Sequence, residues 1–276
     1  MSGKSAAVFD HIAPSYDADF THSLIGKWQR ERVWHFLEKD LDRKKSLHIL
    51  EINCGTGEDA LWLVKKKHKV YATDASSEMI AQAEFKAKKS VLLNEKEKPE
   101  LSFSVCAFEQ LTDKLSDQRF DLIFSNFGGL NCANEETLTH LNRIFSGLLQ
   151  PNGKLIMVLL GKKCLTEKLF FTLKGDGVKA NRRLQPASVQ LAQQVFQPAW
   201  YYHSNEIKKL FSSFTLQNKK PVGLFIPPSY LEPWIQKRKF LLPVLNIFEQ
   251  TLGNLSALAD YGDHIYLSLT KIRNAN

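Results

Sequence analysis

The run Ile49-Leu50-Glu51-Ile52-Asn53-Cys54-Gly55-Thr56-Gly57-Glu58-Asp59-Ala60 constrains the fold of this chain more than any other segment. Residues 47–53 form a short apolar stretch of the kind that makes a buried strand. Two glycines follow, and residues 57–66 then read as a helix. Glycine is needed where the backbone takes positive φ or a ligand comes close. The free N–H groups at the start of such a helix attract an anionic group. Gly55, Gly57 and Ala60 also satisfy G-x-G-x-x-A, the dinucleotide fingerprint. Asp74 lies 17 residues past Gly57, at the end of the next predicted strand, 69–73. A carboxylate there can accept both hydroxyls of a ribose. The plainer alternative is an aspartate that caps the helix beginning near Ser76.

The rest of the chain continues the rhythm. Helices are expected over 23–39, 76–89, 134–149 and 204–211, and strands over 101–107, 120–125, 154–160, 214–225 and 264–271. Residues 90–100 read as a polar loop, and Gln150-Pro151-Asn152-Gly153 as a turn. Strands alternating with helices imply an α/β, Rossmann-like three-layer sandwich with a mainly parallel seven-stranded sheet. Residues 163–200, irregular and helical in character, and 227–260, apolar with helical spacing, interrupt the pattern as helical insertions in the C-terminal half. All 276 residues are read as one domain: a helical cap at 1–45, a cofactor-binding half at 46–160, and a substrate-side half at 161–276.

Composition narrows the function classes. Cys54, Cys106, Cys132 and Cys164 show no C-x-x-C spacing, and the eight histidines form no H-E-x-x-H pair, so no metal site is expected. The net charge of +8 comes with short lysine runs at predicted helix ends, which read as solvated faces rather than a nucleic-acid patch. The start of the chain, 1–7, lacks the apolar region of a secretory signal, so a cytoplasmic location is expected.

Further motifs separate the cofactor classes. Phe9-Asp10-His11-Ile12-Ala13-Pro14-Ser15-Tyr16-Asp17 follows the pattern F-D-x-x-A-x-x-Y-D. Asp74-Ala75-Ser76-Ser77-Glu78-Met79 follows D-x-S-x-x-M, Phe120-Asp121-Leu122-Ile123 follows F-D-x-I, and Leu148 to Leu155 is close to L-L-x-P-G-G. With the loop from Glu51 to Gly57, residues 8–160 resemble the class I S-adenosylmethionine-dependent methyltransferases, in particular the branch of ubiquinone and menaquinone biosynthesis. The resemblance implies an antiparallel last strand and S-adenosylmethionine as cofactor. It implies that Glu51 approaches the methionine amino group, and that Asn53, Gly55 and Gly57 form the turn beneath the methionine. Asp74 would hold the ribose, with Ala75 and Met79 on the adenine. Cys106, Ala107 and Phe108 would line the adenine edge, Asn126 and Phe127 would border the sulfonium, and Tyr16 would close over the cofactor. On their own, Met79 and Phe127 read as ordinary core residues. Asn53 replaces the family's first glycine, a position that asparagine can fill because it tolerates left-handed backbone. Cys106 replaces an aspartate common in relatives, and a thiol is a weak partner for an adenine amino group.

Methyl transfer from a sulfonium is a direct displacement, so alignment of donor and acceptor supplies much of the catalysis. A general base is needed only when the acceptor loses a proton. His203, Tyr201, Tyr202 and His264 are candidates, each with packing as its simpler explanation, and no catalytic residue is assigned. Ser125-Asn126-Phe127-Gly128 does not resemble the N-P-P-Y of exocyclic-amine DNA methyltransferases. The apolar insertions point to a small, hydrophobic or lipid-like acceptor, and Lys237, Arg238 and Lys239 beside them allow a peripheral membrane contact. A nicotinamide-dependent oxidoreductase, a binding protein without turnover, and an RNA methyltransferase are the alternatives. A wholly parallel sheet would favour the first of them.

Overall fold

The structure, a computed structural model, describes residues 3–41, 45–90, 100–192 and 195–272. The polar loop expected at 90–100 lies mostly outside them. Two helices open the chain: α1 (Gly3–Tyr16) and, after a tight π-turn, α2 (Leu24–Asp40). Ser23 caps α2, its hydroxyl accepting from the Gly26 N–H at 2.9 Å. The alternating core follows as β1 (His48–Ile52), α3 (Glu58–Lys65), β2 (Lys69–Asp74), α4 (Ser77–Lys89), β3 (Leu101–Val105), α5 (Leu111–Leu115), β4 (Phe120–Ser125), α6 (Glu135–Leu148) and β5 (Leu149–Leu160). Then come α7 (Leu165–Leu173), α8 (Gly177–Ala180), β6 (Ala187–Ala192), β7 (Val195–Ala199), α9 (Ser204–Leu210), β8 (Phe214–Val222), α10 (Glu232–Gln236), α11 (Leu242–Thr251) and β9 (His264–Lys271).

Seven strands form one sheet in the order β3-β2-β1-β4-β5-β9-β8. The first five pair in parallel, and β9 runs antiparallel between β5 and β8, as expected for the methyltransferase reading and against the oxidoreductase one. Residues 49–52 and 122–125 are buried because helices cover both faces of the sheet. One layer of side chains joins Leu50, Ile52, Ile123 and Phe145, and the other joins Val33, Leu37, Ile49, Leu63 and Phe124. β1 has β2 on one side and β4 on the other. The connections leave β1 and β4 in opposite directions there, which opens a crevice at the carboxyl ends of these two strands.

Several local expectations need correction. Among the described residues of the irregular stretch 163–200, α7, α8 and a 3₁₀ turn at Arg182–Leu184 are helical; β6 and β7 then pair as an antiparallel hairpin. Ser188-Val189-Gln190-Leu191 alternates with the period of a strand, a signal outweighed by the helical character of what precedes it. β5 starts at Leu149, which pairs with Phe120 before the expected turn bulges out with Asn152 at φ 63° and pairing resumes at Lys154. β8 ends at Val222, not at 225, because Gly223 turns the chain at φ 69°. The buried Glu249 carboxylate then accepts the N–H groups of Gly223, Leu224, Phe225 and Ile226 at 2.7–3.3 Å. The apolar 227–260 segment is helical, as its spacing implies: α10 and α11, each with a proline in its first turn, Pro233 and Pro243, joined and followed by 3₁₀ turns.

Candidate active site

The crevice is built on the turn after β1. Asn53 takes φ 58°, so asparagine does hold the left-handed backbone required at the family's glycine position. Gly57 takes φ 76° and starts α3; a Cβ there would come within 2.9 Å of the Ala83 Cβ and 3.0 Å of the Phe103 ring. The turn is pinned from β2. The Cys54 N–H donates to Thr73 O at 3.0 Å, and the Gly55 N–H donates to Asp74 Oδ2 at 2.9 Å. Asp74 Oδ1 accepts from the Ser76 N–H at 2.9 Å. The cap of α4 is Ser76, whose hydroxyl accepts the Met79 N–H at 3.1 Å, so Asp74 braces the turn before the helix rather than capping it. The Ala75 N–H acts on the same carboxylate. A carboxylate offers about four lone-pair directions, so about one remains for another ligand.

The loop after β4 closes the other wall. Asn126 is buried, and Phe127 is held at φ 46°, unusual for a bulky residue. The Phe127 ring meets Phe20 edge-on at 5.0 Å and His264 at 5.3 Å, and the Arg30 guanidinium lies 4.8 Å from its centre. Tyr16, Arg30, Asn53, Cys54, Gly55, Thr56, Glu58, Asp59, Asn126 and Phe127 line a narrow cleft with about 20 Å³ of free space. A larger depression of about 270 Å³, lined by His48, Lys69, Tyr71 and Ser102 among others, lies at the opposite edge, where the strands begin. Ligands of such sheets bind at the carboxyl ends, so we assign the site to the narrow cleft.

Sequence reasoning missed the charges that organise the cleft. Asp59, in the first turn of α3, accepts from Arg30 Nη1, from Trp34 Nε1 at 2.7 Å and from Asn126 Nδ2 at 3.0 Å. It ties α2, α3 and the β4 loop together. Thr56 donates to Asp17 at 2.6 Å, and Lys86 bridges Asp17 and Glu58 at 2.7 and 3.2 Å. Burial would lower the Arg30 pKa, but Asp59, with Tyr16 and Glu58, outweighs it and the guanidinium is held charged. Glu51 is 1% exposed and its Oε2 has no hydrogen-bond partner. Burial, reinforced by Asp59, pushes its carboxyl well above the ordinary range. Burial likewise raises Asp74, against the N–H groups of Ser76, Gly55 and Ala75, and raises the Tyr16 phenol to about 12.

The remaining expected residues divide. Met79 lies beneath α1, packed on Ile12 and Ala13 with Phe9 and Tyr16 beside it. Asp10 anchors this cover by accepting from the Ser76 hydroxyl at 2.6 Å and the Glu78 N–H at 3.1 Å. The Cys106 and Phe108 side chains sit in the main core, and the Ala107 N–H donates to Gln110 Oε1 at 3.0 Å. Of the four proton-acceptor candidates, Tyr202 donates to Ala133 O at 2.6 Å and Tyr201 packs against Arg183. His203 stands just before α9, and His264 is the one whose ring meets Phe127, with its Nδ1 3.2 Å from Asp263 Oδ2. All four cysteines are free, and among the described residues no cluster of His, Cys, Asp or Glu could hold a metal.

Comparison with known proteins bears on this geometry. Residues 49–153 match the family model of a methyltransferase domain. No curated protein matches the chain in sequence. Its fold is similar to that of a SAM-dependent methyltransferase from Methanosarcina mazei, with 18% identity over 87% of this chain and 98% of that one and a TM-score of 0.58. It is also similar to magnesium protoporphyrin IX methyltransferase from Synechocystis with bound SAH, with 14% identity, 98% and 100% coverage and a TM-score of 0.59. An S-adenosylmethionine-dependent methyltransferase of Listeria monocytogenes gives 14%, 90% and 100%, and 0.56.

Proposed function

We propose that this chain, a class I methyltransferase whose cofactor is S-adenosylmethionine, methylates a small hydrophobic acceptor received beside Phe127. The observation that carries the site assignment is the unpartnered Oε2 of Glu51, buried at the end of β1 beneath the glycine turn. A buried carboxylate oxygen without a partner is costly unless a ligand supplies a donor. The ammonium of the cofactor's methionine is such a donor, so the residues fit the group. Asn53, Gly55 and Gly57 would let the methionine pass over the turn, and Asp74 would take the ribose on the carboxylate direction that its three backbone donors leave open. Arg30, whose Nε also lacks a partner, is the cation at hand for the methionine carboxylate. Ala75 and Met79 would face the adenine once α1 shifts, since the cleft as it stands is too narrow for the cofactor. Tyr16 would then close over it. When bound, S-adenosylmethionine supplies an electrophilic methyl group on a sulfonium.

What the chain's own residues contribute is position and a low-water surrounding. Phe127 and Phe20 form an apolar wall suited to an uncharged acceptor. If the acceptor carries a hydroxyl, His264, whose ring meets Phe127, is the candidate to receive its proton; its Nδ1 lies 3.2 Å from Asp263 Oδ2 without a hydrogen bond.

Two outcomes follow. Asp74→Ala is expected to weaken S-adenosylmethionine binding about 10-fold or more in calorimetry, roughly 1.4 kcal/mol. The affinity should also depend on pH. Below its raised pKa Glu51 is protonated and neutral and no longer attracts an ammonium. Binding should therefore weaken as pH falls, beginning above the ordinary carboxylate range. Glu51→Gln should abolish that dependence; a dependence that survives in the variant would remove Glu51 from the role.

A further inference from the structure

Two helices carry apolar side chains outward that stay largely uncovered by the described residues. On α7, Leu165, Leu169 and Leu173 recur every fourth residue on one face and are 43, 56 and 79% exposed. The opposite face buries Glu167 and Phe171. On α11 and the turn before it, Phe240, Val244 and Ile247 are 75, 51 and 62% exposed, opposite the buried Leu242 and Glu249. The two segments are neighbours: Phe170 of α7 meets Trp234 of α10 edge-on at 5.8 Å, and Trp234 packs in the same cluster as Leu242. Two outward apolar stripes linked through α10 exceed the scattered exposure normal for a soluble surface.

The charges beside these stripes have one sign. Lys163, Lys168, Lys174, Lys237 and Lys239 are exposed around them, and Arg238 lies over Trp234. The acidic residues of the same segments are turned inward or paired. Glu167 is bound by Arg182, Arg183 and Tyr230, and Glu249 by four backbone N–H groups. Asp176 pairs with Lys179. Short helices with aliphatic and aromatic tips among lysines suit the boundary of an anionic bilayer, where tips enter the acyl region and lysines meet phosphate. A second copy of this chain would bring the same positive charge and repel.

Position adds to the case. α7 follows the carboxyl end of β5, and α10 and α11 follow that of β8, which runs in the same direction as β5 because both oppose β9. Both segments thus stand at the edge of the sheet that carries the cleft. No helix among the described residues is long and apolar enough to cross a membrane, so the contact is peripheral. The geometry points to the outward faces of α7 and α11 as a docking surface for an anionic phospholipid bilayer. The inference concerns attachment and holds whatever the acceptor is.

The test is flotation of the full chain with vesicles of phosphatidylcholine alone or with added phosphatidylglycerol. The chain should float with phosphatidylglycerol vesicles, stay behind with pure phosphatidylcholine, and be released by salt. The double variant Leu169→Glu, Ile247→Glu should bind about 10-fold less or weaker. Its S-adenosylmethionine affinity and melting temperature should be unchanged, because neither side chain lines the cleft or the core. Failure of the wild type to float with phosphatidylglycerol vesicles overturns the inference, as does flotation that the double variant retains. A wild-type dimer that the double variant converts to monomer in sedimentation also overturns it, since the faces would then be covered by a second copy.

Discussion

Replacing Asp59 by alanine is expected to lower the unfolding free energy by about 3–5 kcal/mol, because it leaves the Arg30 guanidinium buried without its counter-charge. Trp34 Nε1 and Asn126 Nδ2 lose their acceptor in the same step. For a chain of 276 residues this corresponds to a melting temperature lower by roughly 10 °C. The double variant Asp59→Ala, Arg30→Met should recover the part of the loss that comes from the unpaired guanidinium, while Trp34 and Asn126 still lack their acceptor. Thermal unfolding followed by circular dichroism separates these outcomes. Equal destabilisation in the single and double variants would mean that the pair does not carry the coupling between α2 and α3.

Glu51→Gln is expected to act in the opposite sense. Its carboxyl pKa is raised by burial, so its ionised form costs the fold stability: the charge is absent below the pKa, and its cost grows as pH rises through it. The amide should leave the melting temperature at pH 7 unchanged or higher. The same substitution removes the charge that would meet the cofactor's ammonium. Losing one partner of a buried charged contact costs about 2–5 kcal/mol, or roughly 30-fold or more in affinity. A stable protein that binds the cofactor poorly is the signature of a residue kept for ligand binding. A destabilised protein with unchanged affinity would assign Glu51 to the fold instead.

Much of the sheet was legible because its strands are short apolar runs bounded by turns, and Gly55, Gly57 and Asp74 stand where the ends of β1 and β2 require them. Asn53 was legible too, since few other residues take φ near 58° readily. The Arg30–Asp59 pair was not. Helical periodicity marks the apolar stripe of α2, but it does not show that Gln29, Arg30 and Arg32 turn inward with that stripe. Asp59 reads as an ordinary acidic residue in a helix first turn, where it also suits the dipole. The docking of α1 over Met79 was equally hidden, because α1 and α4 meet only in the folded chain. The β6–β7 hairpin lost to the helical character around it, and the end of β8 depends on Glu249, more than twenty residues downstream.

We propose that the cleft at the carboxyl ends of β1 and β4 holds S-adenosylmethionine. Calorimetric titration of the full chain with S-adenosylmethionine, beside Glu51→Gln and Asp74→Ala, tests it most directly. Saturable binding to the wild type that both substitutions weaken is the predicted result. No binding of S-adenosylmethionine, with NADH or NADPH bound in its place, would contradict it.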